Sequence, residues 1–244
     1  MLNETDLDKV KEIAKSLLYT DLIIDEKIDI FCHHPFFQTT SIYNPKTDEV
    51  FDLTNEKGLS KARKMMSNMI DSADHFFEIQ MITQKPYLPA LFKYTEEYLG
   101  QQDYAEALSY LWTSVEFPNH DANVSIEEFL KYFSKANPKL LMGDDNFEQY
   151  NNLPNKITVY RGTCLQSTTK ALSWTTDIEK ARWFGNRFGN NGKVYQANID
   201  KKDVFAYFNI DRGESEIVLN YKNLQNVKEI ENLSYNKNEL EEYR

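Results

Sequence analysis

Residues 172–188 read LSWTTDIEKARWFGNRF, and residues 204–219 read VFAYFNIDRGESEIVL. In the first stretch Ser173 and Thr175 fall on one face of an expected strand and Trp174 on the other. Asp177 then has the form of a helix cap, opening a helix from Asp177 to Phe188 that contains Ala181 and Phe184. The second stretch is β-prone at Val204–Tyr207 and again at Glu216–Leu219, with Arg212 and Gly213 between the two runs. Ile157–Tyr160 and Lys193–Ile199 add two further expected strands. After Pro154 the chain therefore reads as a short β-rich unit with one helix inside it.

Upstream the pattern is mainly helical. Residues 4–19 place Val10, Ile13, Ala14, Leu17 and Leu18 at helical spacing. Residues 28–54 differ, with short β-prone runs on either side of Asn44-Pro45, a turn signal that predicts a hairpin. Helical spacing returns at 59–83, 88–99 and 103–116. Ser125 with Glu128 has the form of a capping box opening a helix over 126–136, which Asn137-Pro138 ends. Residues 229–244 are highly charged and are expected to fray or to form a terminal helix.

The chain has 244 residues, of which 41% are hydrophobic and 14% aromatic, enough to bury a core and to exclude global disorder. Its two cysteines, Cys32 and Cys164, suggest no disulfide framework. The N-terminus lacks the uninterrupted apolar run of a signal peptide, and no stretch is long enough to span a bilayer. A cytoplasmic protein without membrane partners is the expectation. The net charge of −10 excludes broad electrostatic binding to nucleic acid. It is uneven, however: residues 156–228 hold twelve basic and seven acidic side chains, an excess that suits an anionic ligand.

Three features carry chemistry. Arg161, in Tyr160-Arg161-Gly162, offers a forked guanidinium suited to phosphate or carboxylate, and Gly162 beside it admits close approach to the backbone. Ser173 and Thr175 provide a floor of two hydroxyls, or else a buried strand running into a capped helix. Glu214 and Glu216 stand two apart at a strand start, so both carboxylates are expected on one side. Their mutual repulsion is cheapest on an exposed edge unless a site needs both.

Other conspicuous residues read as structural. Cys32-His33-His34 has adjacent histidines that point opposite ways and lacks partner ligands at metal spacing, so no metal is expected. Cys164 has no evident histidine partner. Met65, Met66 and Met69 suit core or interface, and Trp112 and Glu116 suit a packed ring and a solvated acid.

Arg161, Ser173-Trp174-Thr175 and Glu214-Ser215-Glu216, in that order, resemble the R-S-E signature of mono-ADP-ribosyltransferases of the small bacterial and phage toxin-like type. The likeness covers roughly 156–228. It implies an α+β fold with a helical N-terminal region (1–154) packed on a small split β-sheet (155–230), followed by a charged tail (231–244). It implies NAD as co-substrate, without metal. Glu216 would stabilise the cationic ribose, and Glu214 would orient or deprotonate the acceptor. Arg161, Gly162, Ser173, Thr175 and Glu216 would hold NAD, with Phe184, Tyr207, Phe208 or Trp174 stacking on nicotinamide. Glu-x-Glu favours protein arginine as acceptor over an RNA or DNA base. A toxin or a phage or antiphage effector, paired with an antitoxin, would be the setting. The competing readings are an NAD glycohydrolase and a catalytically idle binding protein. Two departures stand out: only eleven residues separate Arg161 from Ser173, short for an intervening helix, and Trp174 replaces a small polar residue.

Overall fold

A computed structural model describes residues 2–116, 118–164, 168–187, 192–210 and 213–233. The chain forms two compact units that divide between Val124 and Ser125. The boundary expected at Pro154 thus moves upstream, and the helices after Ser125 belong with the sheet. Both helix and sheet are present in quantity, so the fold is α+β.

The first unit carries the helices α1 (Leu7–Leu18), α2 (Glu56–Asp71), α3 (Phe76–Ile82), α4 (Leu88–Thr95) and α5 (Gln101–Ser114). Asp6 caps α1 by accepting from the Lys9 N–H, and Val10, Ala14 and Leu18 form its buried stripe. The pattern over 59–83 is not one helix. Ser72 caps α2 at its C-terminal end, and the Asp74 N–H donates to Glu78 before α3 begins. Phe76, Ile79, Leu91, Phe92, Tyr104, Leu108 and Trp112 are fully buried. Of the methionine cluster, Met66 lies in the core and Met69 is exposed.

Two strand pairs accompany these helices. β1 (Ile23–Ile24) and β2 (Cys32–His33) are antiparallel. The expected hairpin is present as β3 (Ser41–Asn44) and β4 (Glu49–Asp52), which closes at Asn44 opposite Glu49. Asn44 accepts from the Lys46 N–H, and Asp48 takes a positive φ of 53°.

The second unit opens with α6 (Ile126–Lys135), started by the capping box of Ser125 and Glu128, then α7 (Pro138–Asn151). Asn137-Pro138 does end α6, but it also begins α7: Asn137 caps it and Pro138 fills its first turn. The sheet follows as β5 (Lys156–Thr163), β6 (Ser173–Thr175), β7 (Gly192–Asp200), β8 (Val204–Phe208), β9 (Glu216–Leu219) and β10 (Gln225–Leu233). Between β6 and β7 stands α8 (Ile178–Asn186), capped by Asp177 through the Glu179 and Lys180 N–H groups.

Strand order is β10-β7-β5-β6-β9-β8, with every neighbouring pair antiparallel. The long strands β10, β7 and β5 make one half and the short β6, β9 and β8 the other. One register pair, Tyr160 opposite Thr175, joins the halves. The two halves therefore meet narrowly along the β5–β6 seam. β10 corrects the expectation of a frayed or helical tail for residues 229–233; residues 234–244 lie outside the described residues.

His34, in the first unit, has a determined protonation state. Its Nδ1 accepts the Phe36 N–H at 3.0 Å and its Nε2–H donates to the Leu18 carbonyl at 3.2 Å, so the ring is neutral. Burial, foremost, depresses its pKa from 6.5 to about 4. The unfolded chain therefore takes up a proton near pH 6.5 that the folded chain refuses until about pH 4. The stability linked to His34 is complete above pH 6.5 and lost as pH falls toward 4. Urea unfolding should show about 2 kcal/mol less stability near pH 5 than near pH 7 from this group, a slope that His34→Gln removes. An equal slope in the variant would disprove it.

Candidate active site

Because β5 and β6 pair at one position only, they part beyond Tyr160, and Arg161 is the next residue along β5. Its Nε–H donates to the Thr168 carbonyl at 2.9 Å and its Nη1–H to the Ser173 carbonyl at 2.5 Å. The guanidinium thus bridges β5, the β5–β6 connection and β6. Desolvation lowers its pKa to about 10, and the negative charge of Glu216 is the leading influence against that fall. Arg161 stays cationic at neutral pH, with the Glu216 carboxylate as its principal charge partner.

Glu216 opens β9, is 6% exposed and pairs with Thr175 on one side and Phe208 on the other. Directly opposed residues share a sheet face. Tyr160, Thr175, Glu216 and Phe208 therefore form one row across β5, β6, β9 and β8. Tyr160 is half-buried in that row, two strands from Glu216 with Thr175 between them.

Glu214 sits on a different kind of backbone. Ser215 has a positive φ of 49° and the strand begins at Glu216, so the two-residue alternation expected of Glu214 and Glu216 does not run through the pair. The Thr175 hydroxyl donates to the Glu214 carbonyl at 2.8 Å and accepts the Asp177 N–H at 3.0 Å. The Thr176 N–H donates to the Ser215 carbonyl at 3.1 Å. Thr175, expected to hold a ligand, is a buried tie between β6, the start of α8 and the Glu-x-Glu segment. Ser173 is half-buried and contacts Arg161 through its backbone carbonyl.

Gly162 has a packing reason of its own. A Cβ there would stand 1.8 Å from the Ala181 carbonyl oxygen and 2.5 Å from the Gly185 nitrogen, so glycine is required because α8 crosses β5 at backbone contact. Arg182 on α8 forms a two-point pair with Glu231 on β10, which fastens the helix to the far edge of the same half-sheet. The aromatic candidates also separate. Trp174 is buried and donates its indole N–H to the Ala171 carbonyl, and Tyr207 and Phe208 are buried. Phe184 on α8 is half-buried and meets Trp183 edge to face at 4.9 Å. Among the four, Phe184 keeps open surface for a planar ligand.

A separate cleft of about 1000 Å³ lies in the first unit, lined by Asp25, Cys32, His33, His34, Tyr87 and His120 among others. Its chemistry is muted. The Cys32 thiol donates to the Phe37 carbonyl and burial raises its pKa, which disfavours the nucleophilic thiolate. Trp112 is packed in the core and Glu116 lines this cleft. Among the described residues, no group of three or more His, Cys, Asp or Glu could hold a metal ion.

Comparison with protein-family models, curated proteins and solved structures gives no match.

Gly162→Ala should force α8 away from β5 and cost roughly 1–3 kcal/mol, as over-packing does. Thermal unfolding checks it. A variant as stable as the parent would mean that α8 does not press on β5 at this point.

Proposed function

We propose that the second unit cleaves NAD at the nicotinamide–ribose bond and transfers ADP-ribose to a macromolecular acceptor. What supports this reading is that the negative charge of the buried Glu216 acts on the desolvated Arg161 guanidinium, next to the one register pair that joins β5 to β6. With it goes the order Arg, Ser-x-Thr, Glu-x-Glu, which resembles the mono-ADP-ribosyltransferase signature.

Nicotinamide leaves NAD as a neutral molecule and takes the electron pair of the C–N bond with it, so no acid is needed. The ribose carbon is left with oxocarbenium character, as in glycoside hydrolysis. Glu216, held in a low-dielectric strand, supplies fixed negative charge to that carbon. Arg161 keeps the seam open and places positive charge where a phosphate of NAD would lie. The acceptor's lone pair then forms the new bond to carbon, and its proton passes to Glu214, which sits on the turn instead of in the strand. Phe184 is the favoured stacking partner for nicotinamide.

Protein is favoured over nucleic acid as acceptor. Arg182 is committed to Glu231 and Glu179, and Arg187 lies over the Trp183 ring at 5.4 Å. Residues 125–244 hold 17 basic and 17 acidic side chains, while residues 1–124 carry the whole net charge of −10. Neither unit offers the basic excess that phosphate backbones demand. A toxin or a phage or antiphage effector remains the proposed setting, with an antitoxin as a further partner.

Glu216→Gln should lower nicotinamide release from NAD by about a thousandfold, the size of comparable electrostatic losses. Glu214→Gln should abolish labelling of protein while free ADP-ribose still forms. Mass analysis of lysate protein and nucleic acid after incubation with labelled NAD reads both. Free ADP-ribose alone from the parent would favour a glycohydrolase, no nicotinamide release by the parent would leave an idle binding protein, and turnover unchanged in Glu216→Gln would take Glu216 out of the chemistry.

A further inference from the structure

The turn that carries Glu214 is held from outside the sheet. Asn146 on α7 is 7% exposed, and its Oδ1 accepts two backbone N–H groups, Asn209 at 3.0 Å and Ile210 at 3.1 Å. Gln149, one helical turn on, accepts the Asn209 side-chain amide at 3.0 Å. Asn209 passes the hold forward. Its Oδ1 accepts the Ser215 N–H and hydroxyl, each at 3.2 Å, and its carbonyl accepts the Gly213 N–H at 2.7 Å. Ser215 is the left-handed residue that separates Glu214 from Glu216. Two residues on α7 thus determine, through Asn209, the backbone between the two carboxylates.

Helix α7 is shaped for this task. It breaks at Gly143, whose φ of 68° and ψ of 174° are far from helical. A Cβ at Gly143 would meet nothing within 4 Å, so the positive φ is what calls for glycine there. Before the break, the Met142 sulfur accepts the Tyr207 N–H at 3.2 Å. After it, the Tyr150 hydroxyl donates to the Val204 carbonyl at 3.5 Å. The helix therefore grips β8 on both sides of the kink and brings Asn146 to the end of that strand.

We infer that Asn146 is a positioning residue for Glu214 and Glu216, acting through Asn209 and Ser215. This rests on the NAD-cleaving reading of the site. An asparagine at this place offers one oxygen to two part-buried N–H groups, and both would lose this acceptor if it were apolar. The turn would then relax, and a displacement of about 1 Å at a reacting group can cost about a hundredfold in rate.

The test compares the full chain with Asn146→Leu, Asn146→Asp and the milder Gln149→Leu. Two readouts are taken: kcat and KM for nicotinamide release from NAD, and amide hydrogen exchange across 209–215. Asn146→Leu should exchange faster there and lose roughly 10- to 100-fold in kcat, with KM for NAD little changed. Asn146→Asp keeps the acceptor oxygen and should restore both. Gln149→Leu should shift both in the same direction by less, which serves if Asn146→Leu fails to fold. Unchanged exchange in the apolar variants, or an Asn146→Asp as slow as Asn146→Leu, overturns the inference whatever the substrate. A parent that releases no nicotinamide sinks the NAD reading and this inference with it, a failure seen before any variant is compared.

Discussion

A single cation spans the place where the two halves of the sheet meet. Arg161 stands where β5 and β6 stop pairing, and its guanidinium donates to the Thr168 carbonyl of the connection and the Ser173 carbonyl of β6. Backbone carbonyls in a partly buried seam need donors, and a planar fork with several N–H groups can serve two chain segments at once. The guanidinium is desolvated there, which is costly for a charge without a counter-ion. The Glu216 carboxylate answers that need.

Each half-sheet is braced separately. On the long side, Gly162 lets α8 lie against β5, and Arg182 ties α8 to Glu231 on β10. On the short side, Thr175 and Asn209 fix the segment that leads into Glu216. The two acids of Glu-x-Glu consequently occupy different settings although one residue separates them. Glu216 belongs to a regular buried strand and has little freedom to move. Glu214 lies before a left-handed residue on a turn held by hydrogen bonds, where small adjustments cost less than they would inside a ladder. On the proposed reading, a fixed charge for a developing cation and an adjustable base for a variable acceptor would call for this contrast.

Much of this order can be read from residue spacing. Asn44-Pro45 marks the hairpin, Ser125 and Glu128 the capping box, Asp177 the cap of α8, and Glu216–Leu219 the strand as observed. These are local signals, decided within a few residues. The misses are tertiary or double-edged. Asn137-Pro138 stops one helix and starts the next with the same two residues, so α7 goes unseen. β10 is a charged edge strand whose acids pair with Lys193 and Arg182, and its alternation is broken at Asn226, which has a positive φ. Gly162 is conspicuous beside Arg161, yet its reason lies about twenty positions away in Ala181 and Gly185. Asn146 carries no local signal, because its partners are backbone groups more than sixty residues downstream.

The charge pattern shows the same division between local and tertiary information. Residues 156–228 hold an excess of basic side chains, but the interval stops one residue short of Glu229 and three short of Glu231. Those acids pair with Lys193 and Arg182 across the β7–β10 edge and the α8 face, and Lys222 pairs with Glu127 on α6. Once the whole folded unit is counted, the basic excess vanishes. Pairs this exposed add little stability, but they do cancel the field that a cluster of free lysines and arginines would project. Arg161 differs from them in kind, being desolvated, with the negative charge of Glu216 acting against that desolvation.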